Sequence, residues 1–111
     1  MRTETALDAI EGLRSLWAET LGDPEICITI LDGPVDDSHP RFEGAKLTRA
    51  DSLVPDAVGG GPMSAHGTHV TSVILGQPRG PVRGVAPACR GLIIPVFQDA
   101  PPRRITQLDL A

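Results

Sequence analysis

The chain has 111 residues, of which 41% are hydrophobic, 22% charged and 3% aromatic, with a formal net charge of -4. That bounds it to one small domain with a modest core, and a mean hydropathy of -0.01 is ordinary for a globular chain. The acidic balance, with no interleaved basic and aromatic residues, argues against a nucleic-acid partner, and no run of 18 apolar residues offers a membrane span.

Residues 5–21, TALDAIEGLRSLWAETL, place Leu7, Ile10, Leu13, Trp17 and Leu21 at helical spacing. Thr5 and Asp8 form a capping pair, Gly22 before Asp23-Pro24 supplies the stop, and Gly12 weakens the pattern. ICITIL, residues 26–31, is short, β-branched and apolar on both faces, as in a strand buried in a parallel sheet. Cys27 lies inside that run and reads as a small buried hydrophobe. The chain then turns through DGPVDDSHP, and AKLTRA, residues 45–50, can form a short third strand.

Residues 50–65, with three consecutive glycines, read as an irregular surface loop. HGTHVTSVIL, residues 66–75, predicts a helix with Ser64 or Ala65 near its start and Val70, Val73 and Ile74 as its buried stripe. A Gly- and Pro-rich connection over residues 76–91 leads to a second apolar strand, LIIPVF, residues 92–97, with Pro95 marking its end or an irregularity. Residues 106–111, TQLDLA, have the character of a new helix with Thr106 as N-cap, and an end inside an element predicts a fragment. Strands alternating with helices predict an α/β fold on a parallel sheet, and two or three strands with open edges make a poor stand-alone domain.

Charge is uneven. Six acids stand in the first 25 residues, whereas Arg79, Arg83, Arg90, Arg103 and Arg104 follow Gly76 with Asp99 as the one acid among them. This basic stretch reads either as a solvated loop surface or as a rim for an acidic peptide. Residues 1–20 lack the basic and then apolar order of a secretory signal, so a cytoplasmic setting with Cys27 and Cys89 reduced is expected.

The candidate chemistry gathers at Asp32, His66 and His69. In parallel α/β sheets sites lie at the carboxyl ends of strands, where Asp32 directly follows the first apolar run. His66 opens the next long helix, so the carboxylate can hold one ring nitrogen and leave the other as a base. At this level two bland readings stand beside that one: a turn aspartate before Gly33, and a structural histidine. The His66–His69 pair is also a low-specificity metal pattern with no clear third ligand beyond Asp32 or His39, and zinc peptidases need i, i+4 spacing with a Glu between.

ILDGPVDDSHPRF, HGTHVTSVI, VRGVAPACRG and LIIPVF together resemble the N-terminal part of a subtilisin-like serine peptidase domain, from about Ile26 to Ala111. The resemblance implies a doubly wound parallel-sheet domain, incomplete in these residues, with residues 1–22 as a helical lead-in and 23–111 as the peptidase part. It implies Asp32 as the triad aspartate, His66 as the triad base, His69 as an interior packing residue and His39 as part of a structural turn. Most members have Ser or Thr and then Gly after the aspartate. Here Gly33 follows directly, and together with LWAETLGDP this is similar to the proteases of cyanobactin biosynthesis, which trim leader peptides and in some relatives macrocyclise the product.

The family's nucleophile lies in a G-T-S-x-A-x-P motif that none of Ser15, Ser38, Ser52, Ser64 and Ser72 matches. Removing a triad member costs on the order of 10⁴ to 10⁶ in turnover, so these residues alone are expected to be inactive. The expected partner is a peptide or precursor-peptide substrate, with Phe97 to Arg104 as a candidate edge for it and the remainder of the catalytic domain needed to complete the fold. No cofactor, metal, nucleic acid or membrane is expected. The rival expectation is a non-catalytic half-domain that binds a peptide or partner through its open sheet edges.

Overall fold

The computed structural model describes residues 6–50 and 59–99, together with the backbone of 103–104. A 3-10 turn, Ala6–Ala9, precedes helix α1, Leu13–Glu19. Strand β1 is Cys27–Asp32, a second 3-10 turn is Pro40–Phe42, and β2 is Lys46–Arg49. Helix α2, Pro62–Leu75, leads through an irregular connection to β3, Arg90–Pro95, and the short strands β4, Phe97–Gln98, and β5, Arg103–Arg104, close the order.

The expected α/β fold is present, and AKLTRA does contribute a third strand. β3 lies between β1 and β2, parallel to both, with Asp32 opposite Pro95 and Leu47 opposite Gly91. Pro95 has no N–H to donate, and it closes β3 where Val96 N takes over, donating to Asp32 O at 2.7 Å. The single strand expected over 92–97 is therefore two, since Phe97 already belongs to β4 and pairs antiparallel with Arg104.

The first helix is shorter than its apolar spacing suggests. Gly12 adopts φ 84°, a left-handed conformation that interrupts the helix and leaves the 3-10 turn and α1 as separate pieces. Leu13 and Trp17 are buried, whereas Ile10 is exposed; Thr5 lies outside the described residues, as do residues 106–111.

β1 departs most from expectation. It is a sheet edge, and only its Ile28–Ile30–Asp32 face turns inward; Cys27 and Thr29 are exposed and Leu31 is 50% exposed. The alternation of a strand sends successive side chains to opposite faces, and among the described residues no layer covers the outer face. Cys27 is thus an exposed free thiol, while Cys89 is buried, packing with Ile30 and Leu75. A second buried group, Val35, Phe42 and Ile93, completes the core on the same face of the sheet, with Leu47 packed against both groups. Of the basic residues, Arg83 stacks on the Trp17 ring and Arg90 Nε donates to Pro24 O at 2.6 Å.

Candidate active site

Three segments meet at the carboxyl end of β1: the strand end itself, the turn 33–36 and the first two turns of α2. Asp32 is placed by the ladder with β3, and its Oδ1 accepts the Gly33 N–H at 2.6 Å. The same oxygen stands 2.8 Å from Nδ1 of His66. An ionised carboxylate can only accept, so Nδ1 carries a proton, and the neutral tautomer with that proton has its lone pair on Nε2. The two partners differ in environment. The Asp32 side chain is 15% exposed and that of His66 61%, so the ring is backed by protein at Nδ1 while most of it is open to solvent.

Glycines make the approach possible. A Cβ on Gly33 would collide with the Met63 carbonyl, and one on Gly67 would collide with the carbonyls of Gly33 and Pro34. Helix and turn therefore touch backbone to backbone, which brings the His66 ring within reach of Asp32. Thr68 Oγ1 accepts Asp36 N–H at 2.9 Å and ties the same turn to the next stretch of the helix. The H-G-T sequence thus supplies the Asp32 partner, a contact glycine and a tether in three consecutive residues.

α2 begins four residues before His66, at Pro62, with Gly61 as N-cap, rather than at His66 itself. His66 therefore lies beyond the first turn of the helix. The N-terminal donors are met from across the fold by Asp99, the residue after β4. Its Oδ1 accepts Met63 N at 2.7 Å and Ser64 N at 3.0 Å, and Ser64 Oγ donates to its Oδ2 at 2.5 Å. The Ser64 hydroxyl, and then the Ser64 N–H, hold the Asp99 carboxyl below the usual carboxylate range.

The buried face of α2 is also not the expected one. Ser64, Gly67, Thr71, Ser72 and Leu75 are buried, whereas Val70, Val73 and Ile74 are half-buried at the flank. Close packing selects small residues at the contact, so the apolar periodicity marked the edge of the contact, where Ile74 packs against the Ile30, Leu75 and Cys89 group. His69, expected inside, is exposed, and beside it Asp36, Arg41, Ala65 and Thr68 line a shallow polar depression. His39 keeps its structural part, as N-cap of the second 3-10 turn with Nδ1 accepting Arg41 N at 3.1 Å.

Three serines are engaged elsewhere: Ser38 with Asp36, Ser72 with the His69 carbonyl and Arg41, and Ser64 with Asp99. Ser52 lies outside the described residues. No group of three or more His, Cys, Asp or Glu side chains among the described residues is placed to hold a metal ion. Asp99, Gly33 and Gly67 are the site residues that sequence reasoning missed. A three-glycine run just ahead of a helix was the available signal, since such a run allows another group to approach closely.

A model of the subtilase family, Peptidase S8, matches residues 23–106. Fervidolysin of Fervidobacterium pennivorans is 32% identical over 98 residues, which is 84% of this chain and 14% of that protein. The protease domain of PatA matches with a TM-score of 0.75 at 60% identity, over 80% of this chain and 32% of the other. The prenylagaramide maturation protease PagA follows at 0.73 and 53%, over 91% and 33%, and the PatG macrocyclase domain at 0.69 and 29%, over 86% and 40%. The chain spans about a third of the length of the PatA protease-domain and PagA chains that it matches. With its family match, its parallel α/β sheet and these maturation-protease neighbours, the chain belongs to the subtilase family of serine peptidases.

Proposed function

We propose that this chain supplies the aspartate and the histidine of a Ser-His-Asp triad in a subtilisin-like endopeptidase that processes ribosomally made precursor peptides. The observation that carries the reading is the 2.8 Å contact between Asp32 and His66 Nδ1 at the carboxyl end of a parallel strand. In this reading His66 Nε2 takes the proton of a serine hydroxyl as it attacks the peptide carbonyl, then returns it to the leaving amine. Asp32 holds the ring in the tautomer that leaves Nε2 free and stabilises the imidazolium as it forms.

The serine comes from a part of the peptidase domain outside these residues, so residues 1–111 alone are inactive. Support comes from the engagement of Ser38, Ser64 and Ser72 in structural hydrogen bonds. The remainder of the domain is also the partner we assign to the outer face of the sheet. Parallel sheets are normally covered on both faces, and here Leu31 on the outer face is 50% exposed. The substrate class follows the neighbours, among which PagA is a prenylagaramide maturation protease and one PatG structure holds a peptide. We assign the candidate substrate edge to the Phe97 to Arg104 segment, where β4 and β5 pair. No helix among the described residues is long and apolar enough to cross a membrane, and a cytoplasmic setting is part of the proposal.

The test is His66→Ala in the complete protein, assayed on a leader-bearing precursor peptide. Turnover should fall by on the order of 10⁴ or more. Unchanged cleavage would remove His66 from the mechanism and the triad reading with it.

A further inference from the structure

An aspartate at a strand end and a histidine on a helix can cooperate only if the helix is held at one depth and one rotation against the strand. Gly33 and Gly67 permit the contact but do not enforce it, because an absent side chain leaves room and pulls on nothing. The far end of α2 is held by the Val73 and Ile74 carbonyls, which accept the Val85 N–H at 2.9 Å and the Ala86 N–H at 2.8 Å, and by buried Leu75; other attachments lie closer to His66. Thr68 is tied to the Asp36 N–H at 2.9 Å, Ser72 accepts from Arg41 at 3.2 Å, and Asp99 grips the first turn with both of its oxygens.

The Asp99 grip differs from an ordinary N-cap. The cap is local in most helices, supplied by the residue just before the first turn. Here that residue is Gly61, which has no side chain, and the acceptor is Asp99, 36 residues beyond the Met63 N–H it receives. Ser64 is 2% exposed and serves as a second link, since its hydroxyl donates to Asp99 Oδ2 and accepts Gly59 N–H at 3.0 Å. The glycines close around the carboxylate: a Cβ on Gly61 would stand 2.5 Å from Asp99 Cγ, and one on Gly59 would stand 2.9 Å from Oδ2. Met63 and Ser64 precede His66 by less than one helical turn, so a shift of that turn carries the imidazole with it.

We propose that Asp99 is a positioning residue, whose carboxylate at the first turn of α2 fixes the depth at which that helix presents His66 to Asp32. The proposal rests on the reading of Asp32 and His66 as a working pair, and it assigns Asp99 no contact with substrate. Its distinguishing claim is that side-chain length matters more than charge. Asparagine keeps the length and an oxygen for the Met63 and Ser64 N–H groups, and its amide can donate to the Ser64 hydroxyl. Glutamate keeps the charge but adds a methylene that pushes the turn away.

The experiment compares Asp99→Asn, Asp99→Glu and Asp99→Ala in the complete protein. The first readout is the NMR signal of the His66 Nδ1 proton, assigned by its disappearance in His66→Ala; the second is kcat on a precursor peptide. Asp99→Asn should keep the signal in place and retain most of the turnover. Asp99→Glu and Asp99→Ala should shift or broaden it and lower kcat by roughly 10- to 100-fold. A glutamate variant that outperforms asparagine would overturn the proposal, as would folded variants that all leave the signal unchanged. If Asp99→Ala does not fold, the order of Asn and Glu still decides. If the wild-type protein cleaves no peptide, the peptidase reading fails on its own, while the NMR comparison continues to test Asp99.

Discussion

The two helices are fastened by opposite means. α1 is held by a large apolar anchor: the Trp17 ring is buried, its Nε1 donates to Val85 O at 2.9 Å, and the Arg83 guanidinium lies 4.2 Å from the ring centroid. Around that anchor α1 is loosely covered, with Leu16 exposed. α2 buries Gly67, three hydroxyl side chains and Leu75, and it is aligned by Asp99, Asp36 and Arg41. Burial of a large ring gives attachment with little angular demand. Backbone contact and hydrogen bonds have narrow distance limits, and they occur on the helix that carries His66.

That contrast predicts which substitutions change stability and which change chemistry. The largest stability effect should be Trp17→Ala, which removes the anchor and should cost about 3–5 kcal/mol in a urea or thermal titration. Molecules that remain folded should keep the His66–Asp32 contact. Lost turnover in the folded fraction would mean that α1 also aims the site, and the contrast would fail. Gly67→Ala should cost less, about 1–3 kcal/mol, because the new methyl presses on the Gly33 and Pro34 carbonyls. Its effect on kcat should be far larger, roughly 100-fold, since the helix must back away from Asp32. A Gly67→Ala protein with normal kcat would show that close approach is not what aims His66.

These particular residues also explain what could be read from the sequence. Asp32 and His66 were legible because a strand-end carboxylate and a histidine in a compact motif each carry a local signature. β3 was legible from its apolar run, and β2 only as a possible short strand. The inner face of α2 was not, because its contact is made by Ser64, Gly67 and Thr71, whose small size matters and whose hydropathy says nothing. Asp99 was hidden for another reason. Its partners lie 35 and 36 residues away, and no local spacing rule spans that distance. Cys27 and Leu31 were misjudged because an apolar run reports composition, whereas exposure depends on which layers are present to cover each face.

Smaller effects sharpen the same contrast. Trp17→Phe keeps an aromatic ring for Arg83 and deletes the hydrogen bond to Val85 O, so it should cost about 0.5–1.5 kcal/mol and leave kcat unchanged. A cost near that of Trp17→Ala would show that the hydrogen bond, rather than the buried ring, is the anchor.

The smallest effect is expected inside the glycine run that wraps Asp99, where three identical residues have different reasons to be glycine. Gly61 has φ -87° and ψ 176°, which any residue adopts, so what it lacks is space beside the Asp99 carboxylate. Gly60 has no positive φ, and among the described residues its Cβ would meet nothing within 4 Å. Gly60→Ala should therefore lie within about 0.5 kcal/mol of wild type, or stabilise slightly by restricting the unfolded chain. Gly61→Ala should displace the carboxylate and lower kcat in the manner of Asp99→Ala. If the two alanines behaved alike in stability and in kcat, the run would be serving as a flexible connector. Only a difference between neighbours separated by one peptide bond identifies it as the wall of the Asp99 seat.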